Sequence, residues 1–530
     1  MVCTTFGGRK YSILWVVYHS TEPSEGLFSG TSPTHFYKPN YFHTLDTRTT
    51  IMKKLIRVGF LLSLLIAPFI SPNAQTAEKS VPIFKDGEAQ IIPAFEDPTK
   101  WIRHDLWVET EFDTDGDGKL DRMHVAVTRP GQTDTEGLKL PIVYESSPYF
   151  AGVVPFVKGL FWDVNHELGK AAKERVHPEV ARTGQRPIIS NSQIKTWVPR
   201  GYIVVHSSSP GTGLSQGSPT VGGDNESLAP KAVIDWLCGR IPRYTSIDGN
   251  EEVKAFWSTG KVGMTGTSYN GTIPLAAATT GVDGLEAIIP IAPNTSYYHY
   301  YRSNGLVRSP GGYLGEDIDV LFDFIHSGDE SKRAYSNKTV RDTEMKNNMD
   351  RITGDYNDFW AGRDYLNDMK PMKAALLMSH GFNDWSVMTE HSYRIYAAAK
   401  AKGLPAQIYY HQEGHGGPPP MKLMNRWFTR YLHGVENGVE NDAKAWIVRE
   451  NDKMDNPTTY KEYPNPEASN VTLYPTPGAP AQGSLSTEKA TKKGTEKLVD
   501  NYSFSGPALA QAEITNHRLM YVTPELSSRP

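Results

Sequence analysis

The sequence predicts an α/β fold, a mostly parallel sheet covered by helices, and three observations carry that prediction. From Leu140 onward, short apolar runs alternate with helix-like segments, the pattern of strand–helix–strand units. Those runs are uninterrupted rather than alternately polar and apolar, as expected of strands buried on both faces. Between a strand end and a helix start stands Gly266-Thr267-Ser268-Tyr269-Asn270-Gly271, a serine flanked by glycines. That is the sequence form of a nucleophile elbow, in which glycines permit a sharp turn that lifts the serine hydroxyl above the sheet.

The whole chain narrows the classes of function. Its 530 residues suffice for more than one domain. A net charge of −4 and an isoelectric point near 6.5 give no basic field for nucleic acid. Abundant aromatics (27 Tyr, 19 Phe and 11 Trp) speak against disorder. Two cysteines, Cys3 and Cys238, say nothing decisive about compartment.

Taken in order, residues 1–51 show no motif and read as an extension ahead of a mis-assigned start. Residues 52–74 read as a secretory signal: Lys53-Lys54, an apolar stretch from Val58 to Ile70, and a small-residue exit near Ala74. The apolar run is too short for a comfortable membrane span, so an exported product is expected, periplasmic or secreted, with no stable membrane insertion after cleavage. Phe112 to Asp121 holds aspartates at calcium-loop spacing, yet the twelfth position is His124 rather than a bidentate glutamate. Its flanks, Leu106-Trp107-Val108 and Met123 to Val127, alternate like strands, so a β-hairpin with a polar turn is predicted.

Next come the strand Pro141-Ile142-Val143-Tyr144, the strand Tyr202-Ile203-Val204-Val205 and the helix 231–237. The elbow strand follows, with a helix through Thr272 to Ala278 in which Pro274 lies in the opening turn. Further strands fall at 287–291, 374–378 and 406–410, with a helix at 388–402. Charged, helix-like sequence at about 302–370 interrupts the alternation and reads as a cap over the strand C-termini. These features place a catalytic α/β domain at 75–440. Beyond it, Trp446-Ile447-Val448, Val471 to Tyr474 and Arg518 to Val522 read as the start of an all-β sandwich at 441–530, apparently incomplete.

In α/β-hydrolases the acid and the base follow the serine along the chain, each after a later strand. Asp384 follows strand 374–378 and His415 follows strand 406–410, so Ser268, Asp384 and His415 form the predicted triad. His415 takes the Ser268 proton while Asp384 fixes the imidazole tautomer. His411 and His415 bracket Glu413, but the order is not that of a zinc helix, and Gly414, Gly416 and Gly417 oppose a helix there. His411 and His380 read as structural. One oxyanion donor is the Tyr269 backbone N–H; a second is the Tyr149 hydroxyl, whose alternative is a plain rim aromatic.

These residues resemble a known family. Gly260 to Tyr269, Asn304 to Gly312, Lys231 to Leu237, His380 to Trp385, and Asn425-Arg426-Trp427-Phe428 with Tyr431-Leu432 are similar, in order, to the X-prolyl dipeptidyl aminopeptidases. Those serine peptidases are related to cocaine esterase-like acyl hydrolases. The resemblance spans roughly residues 100–525. It implies an α/β-hydrolase domain with a helical insertion, a jelly-roll-like β domain, and release of Xaa-Pro dipeptides without metal or cofactor. It carries Ser268, Asp384 and His415 over as the triad and Tyr149 as the oxyanion tyrosine. It places Glu316 where the family receives the substrate's α-amine; the other reading of Glu316 is a solvated cap charge. The implied partners are peptides with proline at the second position, and a homodimer is compatible with it. An ester or β-lactam side-chain acylase, and an inactive truncated product, are the competing readings.

Overall fold

The computed structural model describes residues 79–524, apart from 166–169, 171, 172, 183–190, 304, 312, 479–481, 490, 492–494, 500, 502–505 and 513. The expected signal at 52–74 and the extension before it lie outside the described residues. Among the described residues no helix is long and apolar enough to cross a membrane.

Eleven strands form the main sheet: β1 (Trp101–Glu109), β2 (Arg122–Pro130), β3 (Leu140–Ser147), β4 (Ile203–Ser208), β5 (Arg243–Tyr244), β6 (Ser258–Thr267), β7 (Leu285–Ile291), β8 (Ala375–Gly381), β9 (Ala406–His411), β10 (Ala445–Ile447) and β11 (Thr458–Tyr460). Their spatial order is β11-β10-β9-β8-β7-β6-β3-β4-β2-β1-β5. Neighbours from β10 through to β4 run parallel, while β2, β1, β5 and β11 pair antiparallel at the two ends. The chain leaves β3 toward β4 on one side and returns to β6 on the other. In open α/β sheets ligands bind beyond the strand C-termini at such a reversal, which here puts them between Ser147 and Thr267.

Burial on both faces explains the uninterrupted apolar runs. Ile142, Tyr144, Ile203, Val262 and Met264 pack on one face with α1 (Asp224–Leu237) and α2 (Tyr269–Thr279). Val143, Val204, Ala287, Ile289 and Leu377 pack on the other. Successive side chains of a strand point to opposite faces, so both must be apolar. Each helix starts ahead of its expected position. α1 begins at Asp224, and its first turn carries Asp224 and Glu226, which suit the positive end of the helix dipole.

The cap follows β7. It contains α3 (Ile318–Ile325) and α4 (Glu330–Ser336), the latter running on into a wide-turned segment, Asn337–Met345. Asp317 and Asp329 cap the two helices, their carboxylates accepting from the N–H groups of Ile318 and Ser331. The predicted hairpin is present as β1 and β2, with Glu109 opposite Arg122. Its turn is fastened to the cap: Lys332 of α4 lies 3.4 Å from Asp115 and 3.1 Å from Asp117. A Cβ on Gly116 would come within 2.4 Å of the Tyr335 ring. Asp113, Asp115 and Asp117 are close together, and the Lys332 ammonium already balances two of them.

One expectation changes at the C-terminal end. The segment Trp446-Ile447-Val448, read as opening the all-β module, begins instead by extending the main sheet. Ala445 is fully buried and Ile408 pairs with it in parallel; three residues carry too little pattern to say which sheet they join. Further on, β12 (Tyr474–Thr476), β13 (Gln482–Ser486) and β14 (Met520–Val522) form a separate three-stranded sheet.

Candidate active site

Ser268 occupies the turn between β6 and α2 with φ 63° and ψ −125°, a left-handed conformation that is strained for any residue but glycine. The turn is pinned at both ends. Its N–H donates to the Ile291 carbonyl at 2.9 Å, and its carbonyl accepts from Gly271 and Thr272, each at 2.9 Å. Glycine is required where the backbones meet. A Cβ on Gly266 would fall 2.4 Å from the Asn270 oxygen, and one on Gly271 would fall 2.6 Å from the Ile291 oxygen. The displaced final glycine of the motif thus has a physical reason: Gly271, not residue 270, makes the close approach. α2 starts at Tyr269, so Pro274 is its sixth residue and lies past the opening turn.

Asp384 and His415, the expected acid and base, lie in direct contact. His415 Nδ1 donates to Asp384 Oδ2 at 2.7 Å, which leaves Nε2 free to accept a proton. Asp384 Oδ1 accepts from the N–H groups of Ser386 at 2.9 Å and Val387 at 2.8 Å. Burial alone would raise the Asp384 carboxyl, but hydrogen bonds from His380 and His415 outweigh it and hold it far below the usual range. His411 fastens the base-bearing loop, its Nε2 reaching the Gly416 carbonyl at 3.0 Å.

His380 has a larger part than its sequence reading gave it. Fully buried, it donates from Nε2 to Asp384 Oδ2 at 3.2 Å and to the Val387 carbonyl at 2.8 Å, while Nδ1 accepts from Ser392 at 2.6 Å. The acid is therefore held by two imidazoles. Its place four residues before Asp384 was a visible signal, although helix periodicity does not apply in a loop. His380→Phe is expected to lower kcat about tenfold, the scale found for partners that orient a reactive group. KM should stay near its wild-type value, and steady-state kinetics on a chromogenic substrate checks both.

Ser268 and His415 line one cavity of about 440 Å³, together with Tyr149, Tyr269 and Glu316. Its remaining wall is mostly aromatic or aliphatic, including Phe156, Phe161 and Phe324. Burial pushes the Tyr149 hydroxyl well above its ordinary range, so it stays protonated and able to donate. The Tyr269 N–H opens α2, where no intrahelical acceptor exists for it.

Glu316 is 8% exposed, and burial pushes its carboxyl up to about 7. Its Oε1 accepts from the Tyr301 hydroxyl at 2.8 Å. The neighbouring acids fare differently. Asp317 pairs with Arg302 and Arg351, Asp319 with Arg175, and Asp323 with Arg175, Arg341 and His177. Among the described residues no cation lies within ion-pair distance of Glu316. It is the one acid of this group that faces the cavity, and the one that lacks a counter-charge.

A mostly parallel sheet with a strained serine at its reversal point, an aspartate–histidine pair after later strands, and a helical cap define an α/β-hydrolase fold. Comparison with known proteins narrows the class. A profile of the X-Pro dipeptidyl-peptidase (S15 family) matches residues 115–417, and one of the X-Pro dipeptidyl-peptidase C-terminal non-catalytic domain matches residues 437–529. The chain belongs to the X-Pro dipeptidyl-peptidase S15 family. It is 64% identical over 480 residues to a Rhodopirellula baltica protein named for Xaa-Pro dipeptidyl-peptidase activity, covering 90% of this chain and 76% of that one. A Bacillus anthracis protein named likewise is 40% identical, covering 80% and 68%. The Xaa-Pro dipeptidyl-peptidase of Ligilactobacillus salivarius is 34% identical over 74% of this chain, which spans about half of it, 52%. Among solved structures, an aminopeptidase from a marine sediment Thaumarchaeota archaeon aligns with 82% of this chain and 72% of its own, at 15% identity and a TM-score of 0.48.

Proposed function

We propose that this protein is an exported serine exopeptidase that releases Xaa-Pro dipeptides from free peptide N-termini. The observation that carries the reading is Glu316: a buried carboxylate without a cation, on the wall of the cavity that also holds Ser268. A substrate's α-ammonium supplies the missing charge, and the desolvated pairing selects for a free N-terminus. The relatives' names point to the same substrate class. Export rests on the signal-like segment 52–74.

In this mechanism Ser268 Oγ attacks the prolyl carbonyl carbon and passes its proton to His415 Nε2. Asp384 keeps the imidazole in the tautomer that can accept it and stabilises the imidazolium. The Tyr269 N–H and the Tyr149 hydroxyl receive the developing oxyanion. His415 then gives the proton to the departing amine, and the ester left on Ser268 is hydrolysed when His415 activates a water.

Gly-Pro-p-nitroanilide, its N-acetylated form and p-nitrophenyl acetate test the reading together. The expected result is rapid release from the free-amine anilide and none from the acetylated one. Cleavage of the ester alone would move the function to an acyl hydrolase. Inertness toward all three would favour an inactive product.

A further inference from the structure

The first turn of α2 is weak by its own composition. Gly271 is its third residue, and Pro274 lacks the N–H that would bond the Asn270 carbonyl four residues back. Yet this turn carries the Tyr269 N–H and follows directly on the strained Ser268. Strained backbone persists only where its surroundings over-determine it.

Two buried carboxylates supply that support. Glu226 of α1, 3% exposed, accepts from the Tyr269 hydroxyl and from the N–H groups of Val221 at 2.9 Å and Gly222 at 3.2 Å. Glu145 of β3, 6% exposed, accepts from Asn270 Nδ2 at 3.0 Å. Among the described residues neither has a cationic partner. His206 lies 3.7 Å from Glu145 Oε2, an imidazole whose burial pushes it down to about 3 and so keeps it neutral, and the neutral Gln193 side chain also bonds Glu145. Burying an unpaired carboxylate is unfavourable. Here two of them hold consecutive side chains, those of the two residues after the nucleophile.

We propose that Glu226 and Glu145 are positioning residues that grip the Tyr269 and Asn270 side chains and so aim the Tyr269 N–H at the oxyanion. The proposal rests on Ser268 being the nucleophile. Neither Glu226 nor Glu145 lines the cavity, so the grip acts through the backbone of α2. A donor shifted by a fraction of an ångström loses much of its hold on a developing charge, and removing an oxyanion donor outright lowers kcat by about 10²–10³.

Tyr269→Phe and Asn270→Ala, made in the full chain, each release one side of the grip. Phenylalanine removes one hydroxyl, and alanine is the better helix former, so neither weakens α2 itself. Three quantities are read: the thermal midpoint, kcat and KM on Gly-Pro-p-nitroanilide, and the rate at which a fluorophosphonate labels Ser268. The label needs no substrate amine and is independent of Glu316. Each variant is expected to lose about tenfold in both kcat and labelling rate, and the pair about 100-fold. KM should stay within threefold and the midpoint within a few degrees. Unchanged kcat and labelling in both variants, or losses that only follow the folded fraction, would overturn the proposal. Folded wild-type protein that takes no label at Ser268 would overturn the nucleophile assignment, and the grip with it.

Discussion

Ser268→Ala is expected to lower kcat on Gly-Pro-p-nitroanilide by about 10⁵-fold or more, with the fold intact. Loss of the nucleophile of a triad removes the covalent route altogether, and what remains comes from binding and oxyanion stabilisation alone. The residue's backbone sharpens the test. At φ 63° alanine is as strained as serine, so Ser268→Ala should leave the thermal midpoint where it is. Ser268→Gly meets no such strain and should be more stable by about 1 kcal/mol while equally inactive. Residual turnover near wild-type level in either variant would remove Ser268 from the mechanism. A glycine variant less stable than wild type would show that the turn is not strained.

Glu316→Gln is expected to lower kcat/KM for the free-amine substrate roughly 100- to 1000-fold, the range for removing one partner of a buried charge pair. The poor hydrolysis of the acetylated analogue should not change. Two dependences on pH follow. The wild-type carboxyl protonates near 7, so kcat/KM for a free amine should fall as pH drops through that value, and the variant should lack this limb. Stability moves the other way. The folded carboxyl titrates near 7 against an ordinary value of 4.5, so its contribution is full below about pH 4.5 and is lost as pH rises through 7. At pH 8 the ionised group costs on the order of 3 kcal/mol, which glutamine avoids. The variant should therefore melt at a higher temperature than wild type at pH 8, the difference closing toward pH 4.5. Equal melting at both pH values would mean that Glu316 is solvated, and unchanged kcat/KM would assign the amine contact elsewhere.

Much of this was legible in the sequence because it is local or ordered along the chain. The elbow is a six-residue signature, and counting strands after it singles out Asp384 and His415, which touch in the fold. The uninterrupted runs at 141–144 and 287–291 announce strands covered on both faces. What escaped was non-local. No spacing shows that Ala445 pairs beside Ile408, or that Glu145 and Glu226, 81 residues apart, converge on adjacent residues of α2. The partners of His380, read only as structural, were hidden for a related reason. Its contacts with Asp384, Val387 and Ser392 exist only once the loop after β8 folds back on itself.

The fastening of the hairpin turn to the cap couples two parts of the chain that lie far apart in sequence. Lys332 joins α4 to Asp115 and Asp117, Ser336 hydrogen-bonds Ser218 at 2.5 Å, and the Tyr335 ring lies against Gly116. These contacts join α4 to the hairpin turn, so a change at Lys332 reaches both elements at once.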